Sequence, residues 1–197
     1  MNNKFRFVAQ TTSTNQQLEA LMQGESLPHG FCLYTDFQTQ GKGQGDHSWA
    51  STRGENLLFS LLLKELPVKP AQQFIISQVV SLSICEALQP LCPDVQIKWP
   101  NDIYVGSRKL AGILIKHVLQ GDTVRYSIIG IGMNVNQTVF DSLLPNPVSL
   151  RQLTGVHHDR QMLLQTITAT ILNSCSTLAA EHYQAIEEAY SARLYHL

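Results

Sequence analysis

Between Val95 and Ile115 two apolar runs flank a polar turn, and three cations, Lys98, Arg108 and Lys109, crowd into that short span. Val95, Ile97 and Trp99 alternate with polar neighbours, the pattern of a half-buried strand. Pro100-Asn101-Asp102 is turn chemistry, because proline presets φ and Asn and Asp tolerate tight backbone. Ile103 to Val105 resumes the apolar run, Gly106-Ser107 reverses the chain, and Leu110 to Ile115 returns as a second strand with Lys109 at its mouth. Gly112 sits inside that second strand, where a glycine often marks close approach of a ligand or another backbone. A chain carrying this hairpin is committed to a sheet, and the clustered cations suit the hairpin to an anion. Each piece also has an ordinary structural reading, in which Asn101 and Asp102 shape the turn and the cations solvate an edge.

With 197 residues, 44% of them hydrophobic, the chain can bury one core, so a single domain spanning 1–197 is expected. A formal net charge of -1 argues against holding nucleic acid on a broad basic surface. Cys32, Cys85, Cys92 and Cys175 are scattered without a Cys-x-x-Cys pair, which fits a reduced, cytoplasmic setting. The histidines include one adjacent pair, His157-His158, and adjacent residues do not share a helix face, so no protein metal site is expected. The start is too polar for a signal peptide. No apolar run approaches the roughly 20 residues that span a bilayer, so no membrane partner is expected.

Phe5 to Val8 alternates like a short strand. Ser13 with Gln16, and Thr14 with Gln17, fit the capping-box spacing, and the helix they open should run to about Met22 and end near Gly24. Phe31 to Thr35 is a buried strand leading into Gln38-Thr39-Gln40-Gly41-Lys42-Gly43-Gln44-Gly45-Asp46-His47-Ser48-Trp49. Glycines at alternate positions there let successive backbone N–H groups face one concavity, the arrangement that holds phosphate or carboxylate oxygens. The loop lacks the Ser or Thr of a P-loop, and the residues after Gly45 are too polar to open a Rossmann helix. Glu55 to Lys64 is a short apolar run with the length of a central strand, and Ala71 to Leu88 has helical period, stopped by Pro90 and Pro93. Arg125 to Ile129 forms another strand. Gly130 and Gly132 at its end make room for something planar against the backbone, or else mark a β-bulge. Met162 to Leu178 carries an amphipathic helical stripe that reads as support. Strands joined by short turns, with few helices, make an α+β domain with a largely antiparallel sheet.

Lys-Trp-Pro-Asn-Asp at 98–102, followed by Lys-Leu-Ala-Gly-Ile-Leu at 109–114, resembles the paired signature of biotin protein ligases, enzymes that activate biotin with ATP and attach it to a lysine. Ser13-Thr14-Asn15, the glycine loop and Gly-Ile-Gly-Met-Asn-Val-Asn at 130–136 are similar to further motifs of that family, in family order. The resemblance covers about Phe7 to Tyr195. It implies a mixed, largely antiparallel β-sheet flanked by helices, the biotin/lipoate ligase catalytic fold. Neither the N-terminal winged helix nor the small C-terminal barrel of some members is expected in this chain.

The resemblance also assigns roles. Ser13, Thr14, Asn15, Gln38, Gly41, Lys42, Lys109 and Gly112 would hold biotin, with the Ser and Thr hydroxyls facing its ureido ring. Lys42, Gly43, Gln44, Trp49, Asn101, Lys109 and Asn134 would hold ATP and the adenylate. An amide offers a donor and an acceptor, which suits the adenine edge for Asn101 and Asn134. Lys109, and secondarily Lys98, would be catalytic, and Asp102 would receive a proton from the incoming lysine or else only shape its turn. Lys42 and Gln44 stand where the family has arginines, and Asp46 where it has a glycine, which shifts phosphate work onto Lys98 and Lys109. Mg²⁺ would arrive with ATP, and the acceptor would be a biotin carboxyl carrier domain. Three rivals are a lipoate or octanoate enzyme of the same fold, a non-catalytic biotin-binding or regulatory module, and a structural or interaction domain with no ligand. Monomer and homodimer both stay open.

Overall fold

The apolar run Leu57–Lys64 becomes strand β3, buried along nearly all its length because it lies inside a sheet covered on both faces. The computed structural model describes residues 4–196. Its other elements are β1 (Phe5–Val8), α1 (Thr14–Gly24), β2 (Cys32–Thr35), α2 (Phe74–Leu88), β4 (Val95–Lys98), β5 (Asp102–Val105), β6 (Arg108–Gln120), β7 (Thr123–Met133), α3 (Leu150–Thr154), α4 (Arg160–Ser176) and α5 (Tyr183–Ala192). The seven strands follow the order β1-β2-β3-β7-β6-β5-β4. Only β1 and β2 run parallel, so the sheet is mixed and largely antiparallel, as expected.

Period-2 side-chain alternation splits β3 between two clusters. Leu57, Phe59, Leu61 and Leu63 join the larger core with residues of α2, α4 and α5. Leu62 joins Leu18 of α1, Leu27, Phe31, Leu33 and Ile128 in a smaller core on the opposite face. The run Pro70–Leu88 is long and apolar enough to resemble a membrane span, but α2 is the core helix of the larger cluster, with Ile76, Val80, Ile84 and Leu88 fully buried.

Several expectations change in detail. Trp99 lies just past β4 and is 68% exposed, so the alternation that starts at Val95 ends at Ile97. Ser13 occupies the N-cap of α1, yet its side chain makes no capping bond; Gln38 Oε1 accepts the Thr14 N–H instead, at 2.8 Å. Strand β7 runs through Gly130 and Gly132 to Met133 with regular pairing to β3 and β6, so neither a strand end nor a bulge explains those glycines.

Candidate functional site

Two short rows of residues floor a cleft on the α1 side of the sheet. Asp102 pairs with Gly112, Gly112 with Gly132, and Gly132 with Leu58; one step along, Leu114 pairs with Gly130 and Gly130 with Ser60. The glycines remove side chains where other groups must lie. A Cβ on Gly132 would stand 2.5 Å from Trp49 Cε2, and one on Gly130 would stand 2.5 Å from Asn15 Oδ1. Real Cβ atoms do not approach that closely, so the Trp49 indole and the Asn15 amide occupy the glycine trough. The planar group anticipated against this backbone is therefore the protein's own tryptophan.

The glycine loop folds over this floor as a small hairpin. Trp49 N–H donates to Gly41 O at 2.9 Å and Gly43 N–H to His47 O at 2.7 Å. The resulting cleft, of about 330 Å³, is lined by Ser13, Thr14 and Asn15 from the start of α1, Gln38, the loop residues Lys42, Gly43, Gln44 and Trp49, and Asn101, Lys109 and Gly112 from the hairpin. Those expected residues are thus brought together from four separate stretches of chain.

Lys109 reaches the cleft because β6 is irregular. Tyr104 pairs with Lys109 and Ile103 with Ala111, leaving Leu110 as an extra residue opposite β5. Without it Lys109 would share the core face with Ala111 and Ile113; the bulge turns its side chain to the cleft, a common use of bulges. A segment after β7 clamps the backbone there: Lys109 N–H donates to Asn146 O at 2.8 Å, and Val148 N–H to Lys109 O at 2.9 Å. Lys109, the second residue of β6, is therefore held on both its N–H and its C=O. Its Nζ lies 2.7 Å from Asp102 Oδ2, with both side chains partly exposed, and 5.8 Å from the centre of the Trp49 ring. Asp102, one of the turn residues, is thus a counter-ion as well.

Three expected site residues do not line the cleft. Lys98 is exposed at the end of β4, its Nζ 3.4 Å from Tyr104 Oη and 4.9 Å above the Tyr104 ring. Asn134 is buried, and its Nδ2 donates to Val148 O at 3.2 Å, tying down the segment that clamps Lys109. Gly41 is buried at the base of the loop hairpin, with no room for a Cβ beside Trp49 O. Asn101 stays at the cleft, its Nδ2 donating to Ile113 O at 2.6 Å. Conversely, His47, Ser48, Pro100, Tyr104 and Pro145 line the cleft unanticipated. Ser60, beneath the floor, also went unread, although a hydroxyl inside the run Leu-Leu-Phe-Ser-Leu-Leu-Leu was a visible signal.

No cysteine lines the cleft, and burial pushes the Cys85 and Cys175 thiols up to about 12, so neither is a ready nucleophile. Asp102 is the only carboxylate on the lining among the described residues, and Lys109 holds it.

The model of the Biotin/lipoate A/B protein ligase family matches residues 7–134. The chain is 34% identical over 160 residues to the bifunctional ligase/repressor BirA of Bacillus spizizenii, covering 79% of this chain and 49% of that one. It is 30% identical over 186 residues to the biotin–[acetyl-CoA-carboxylase] ligase of Mycobacterium tuberculosis, covering 89% and 68%. The chain spans about half the length of several curated relatives it matches. Its fold superposes on the Aquifex aeolicus biotin protein ligase in complex with biotin and ATP with a TM-score of 0.82 at 26% identity, covering 100% of this chain and 80% of that one.

Proposed function

The chain belongs to the biotin/lipoate A/B protein ligase family, and from that premise we propose that it is a cytoplasmic biotin protein ligase. In this reading a biotin carboxylate oxygen attacks the α-phosphorus of ATP, the bond to pyrophosphate breaks, and biotinyl-5'-AMP forms. The ε-amine of a lysine on a biotin carboxyl carrier domain then attacks the acyl carbon; the new C–N bond replaces the bond to AMP, which leaves.

One observation carries the reading: a single cleft joins Ser13, Thr14 and Gln38 to Lys109, over a glycine trough packed by Trp49 and Asn15 and under a glycine loop. Both reactants of the first step are anions, so the site must supply positive charge already in place. Lys42 and Lys109 supply it. As anions enter, Lys109 exchanges Asp102 for the carboxylate and α-phosphate oxygens. The freed Asp102 carboxylate is then placed to receive the proton of the incoming lysine. Asn101 reads the adenine edge, and Asn134 acts through the segment that clamps Lys109. Mg²⁺ would arrive with ATP and neutralise phosphate charge there, and the lining would offer it one carboxylate at most, that of Asp102. A thiol-relay transferase finds no usable cysteine here.

The test is to incubate the protein with a biotin carboxyl carrier domain, MgATP and either biotin or lipoate, and to weigh the carrier. Biotin added to one carrier lysine is expected. A carrier modified with lipoate and not with biotin would reassign the substrate.

A further inference from the structure

Ser60 is fully buried in the middle of β3, opposite Gly130, and its Oγ touches two cleft residues, Thr14 Oγ1 at 2.7 Å and Asn15 Oδ1 at 2.6 Å. Three oxygen–oxygen contacts in this cluster, those two and Thr14 Oγ1 to Gln38 Oε1 at 3.2 Å, share two hydroxyl protons, and the two shorter contacts take them. Leu114 O, 3.1 Å from Asn15 Nδ2, only accepts, so the Asn15 amide turns its NH₂ to that carbonyl and its oxygen to Ser60. That oxygen also only accepts, so the single Ser60 proton goes to it. The Ser60–Thr14 contact then has one proton left to use, that of Thr14. Gln38 is fixed the same way: its Oε1 accepts the Thr14 N–H, so its NH₂ is the half turned away from the helix, beside Gly41. Thr14 is left with lone pairs for the cleft, and Gln38 with N–H groups.

We propose that Ser60 is a positioning residue that sets the hydrogen-bond polarity of this end of the cleft. That polarity selects a ligand group with an N–H beside a carbonyl oxygen, as in a cyclic urea. The inference rests on the biotin reading and adds to it the reason for discrimination. A dithiolane or a plain acyl chain offers Thr14 and Gln38 nothing, and a site built to hydrogen-bond rejects a ligand that leaves its polar groups unpaired. Without Ser60 the Thr14 hydroxyl becomes a free rotor. It can turn its proton to Gln38 Oε1, 3.2 Å away, or into the cleft, where it can donate to an oxygen standing in for the ligand N–H.

The test is calorimetric binding of biotin and of its cyclic carbamate analogues, in which one ureido N–H is replaced by oxygen, to the wild type, Ser60→Ala and Ser60→Cys. Cysteine fills the space and donates weakly. The wild type should favour biotin over either carbamate by at least about 10-fold. In Ser60→Ala that preference should shrink to within about 3-fold for one of the analogues, with Ser60→Cys in between and ATP affinity unchanged. Equal weakening of all ligands would make Ser60 merely structural and overturn the relay, as would a preference unchanged in both variants. A wild type that binds no biotin would sink the functional reading itself, and the relay's ligand class with it.

Discussion

The two faces of one sheet do opposite work with the same strands. On the α2, α4 and α5 side, Phe59, Leu61, Ile129 and Ile131 are packed into a continuous apolar core. On the α1 side, the intervening positions are Ser60, Gly130 and Gly132, and a loop, an amide cluster and an ion pair lie over them. A strand's period of two lets each position be optimised for its own face. Stability is concentrated where side chains interdigitate, and chemistry where they have been removed.

The comparison predicts that the faces fail differently. Phe59→Ala, at a fully buried site, should lower unfolding stability by about 3–5 kcal/mol while the folded fraction keeps its ligand affinities, measured by denaturant titration and calorimetry. Gly132→Ala should do the reverse. Its Cβ would meet the Trp49 indole at 2.5 Å, so ligand affinity should drop about 10-fold or more, for a stability cost of about 1–3 kcal/mol. Asn134→Ala sharpens the boundary between the faces. If its amide holds the segment at Val148, stability should fall by about 1 kcal/mol, with the KM for ATP changed less than about 3-fold. A large rise in that KM at unchanged stability would put the amide on the adenine instead.

The smallest expected effect lies on the core side. Burial lowers the His117 pKa, and its Nδ1 sits 2.8 Å from the buried Ser127 Oγ. The folded state therefore resists protonation that the unfolded chain accepts. Stability should be full above the ordinary histidine pKa and decline as pH falls from it towards the lowered folded value. His117→Gln should flatten that decline in denaturation curves recorded between about pH 7 and about pH 5.

The core face was legible because hydrophobic period is a local property: β1, β3 and α1 lie within a few residues of where the sequence put them. The cleft face was legible mainly through motif resemblance, which named Thr14, Gln38, Lys42, Asn101 and Lys109, and these line one cleft. What stayed hidden depends on partners distant in sequence. The turning of Lys109 needs the Leu110 bulge against β5, and the diversion of Asn134 needs Val148. Gly130 and Gly132 looked like a strand end because nothing near them in sequence announces Asn15 or Trp49 as their neighbours. Ser13 and Thr14 suggested a capping box, yet the cap comes from Gln38, brought in through the glycine loop's first turn.

The most direct test of the site is biotin-dependent exchange of labelled pyrophosphate into ATP, compared for the wild type, Lys109→Ala and Lys98→Ala. The cleft geometry predicts exchange that requires biotin, falls about 10²–10³-fold in Lys109→Ala, and changes far less in Lys98→Ala. Undiminished exchange in a folded Lys109→Ala protein, or a larger loss from Lys98→Ala, would contradict it.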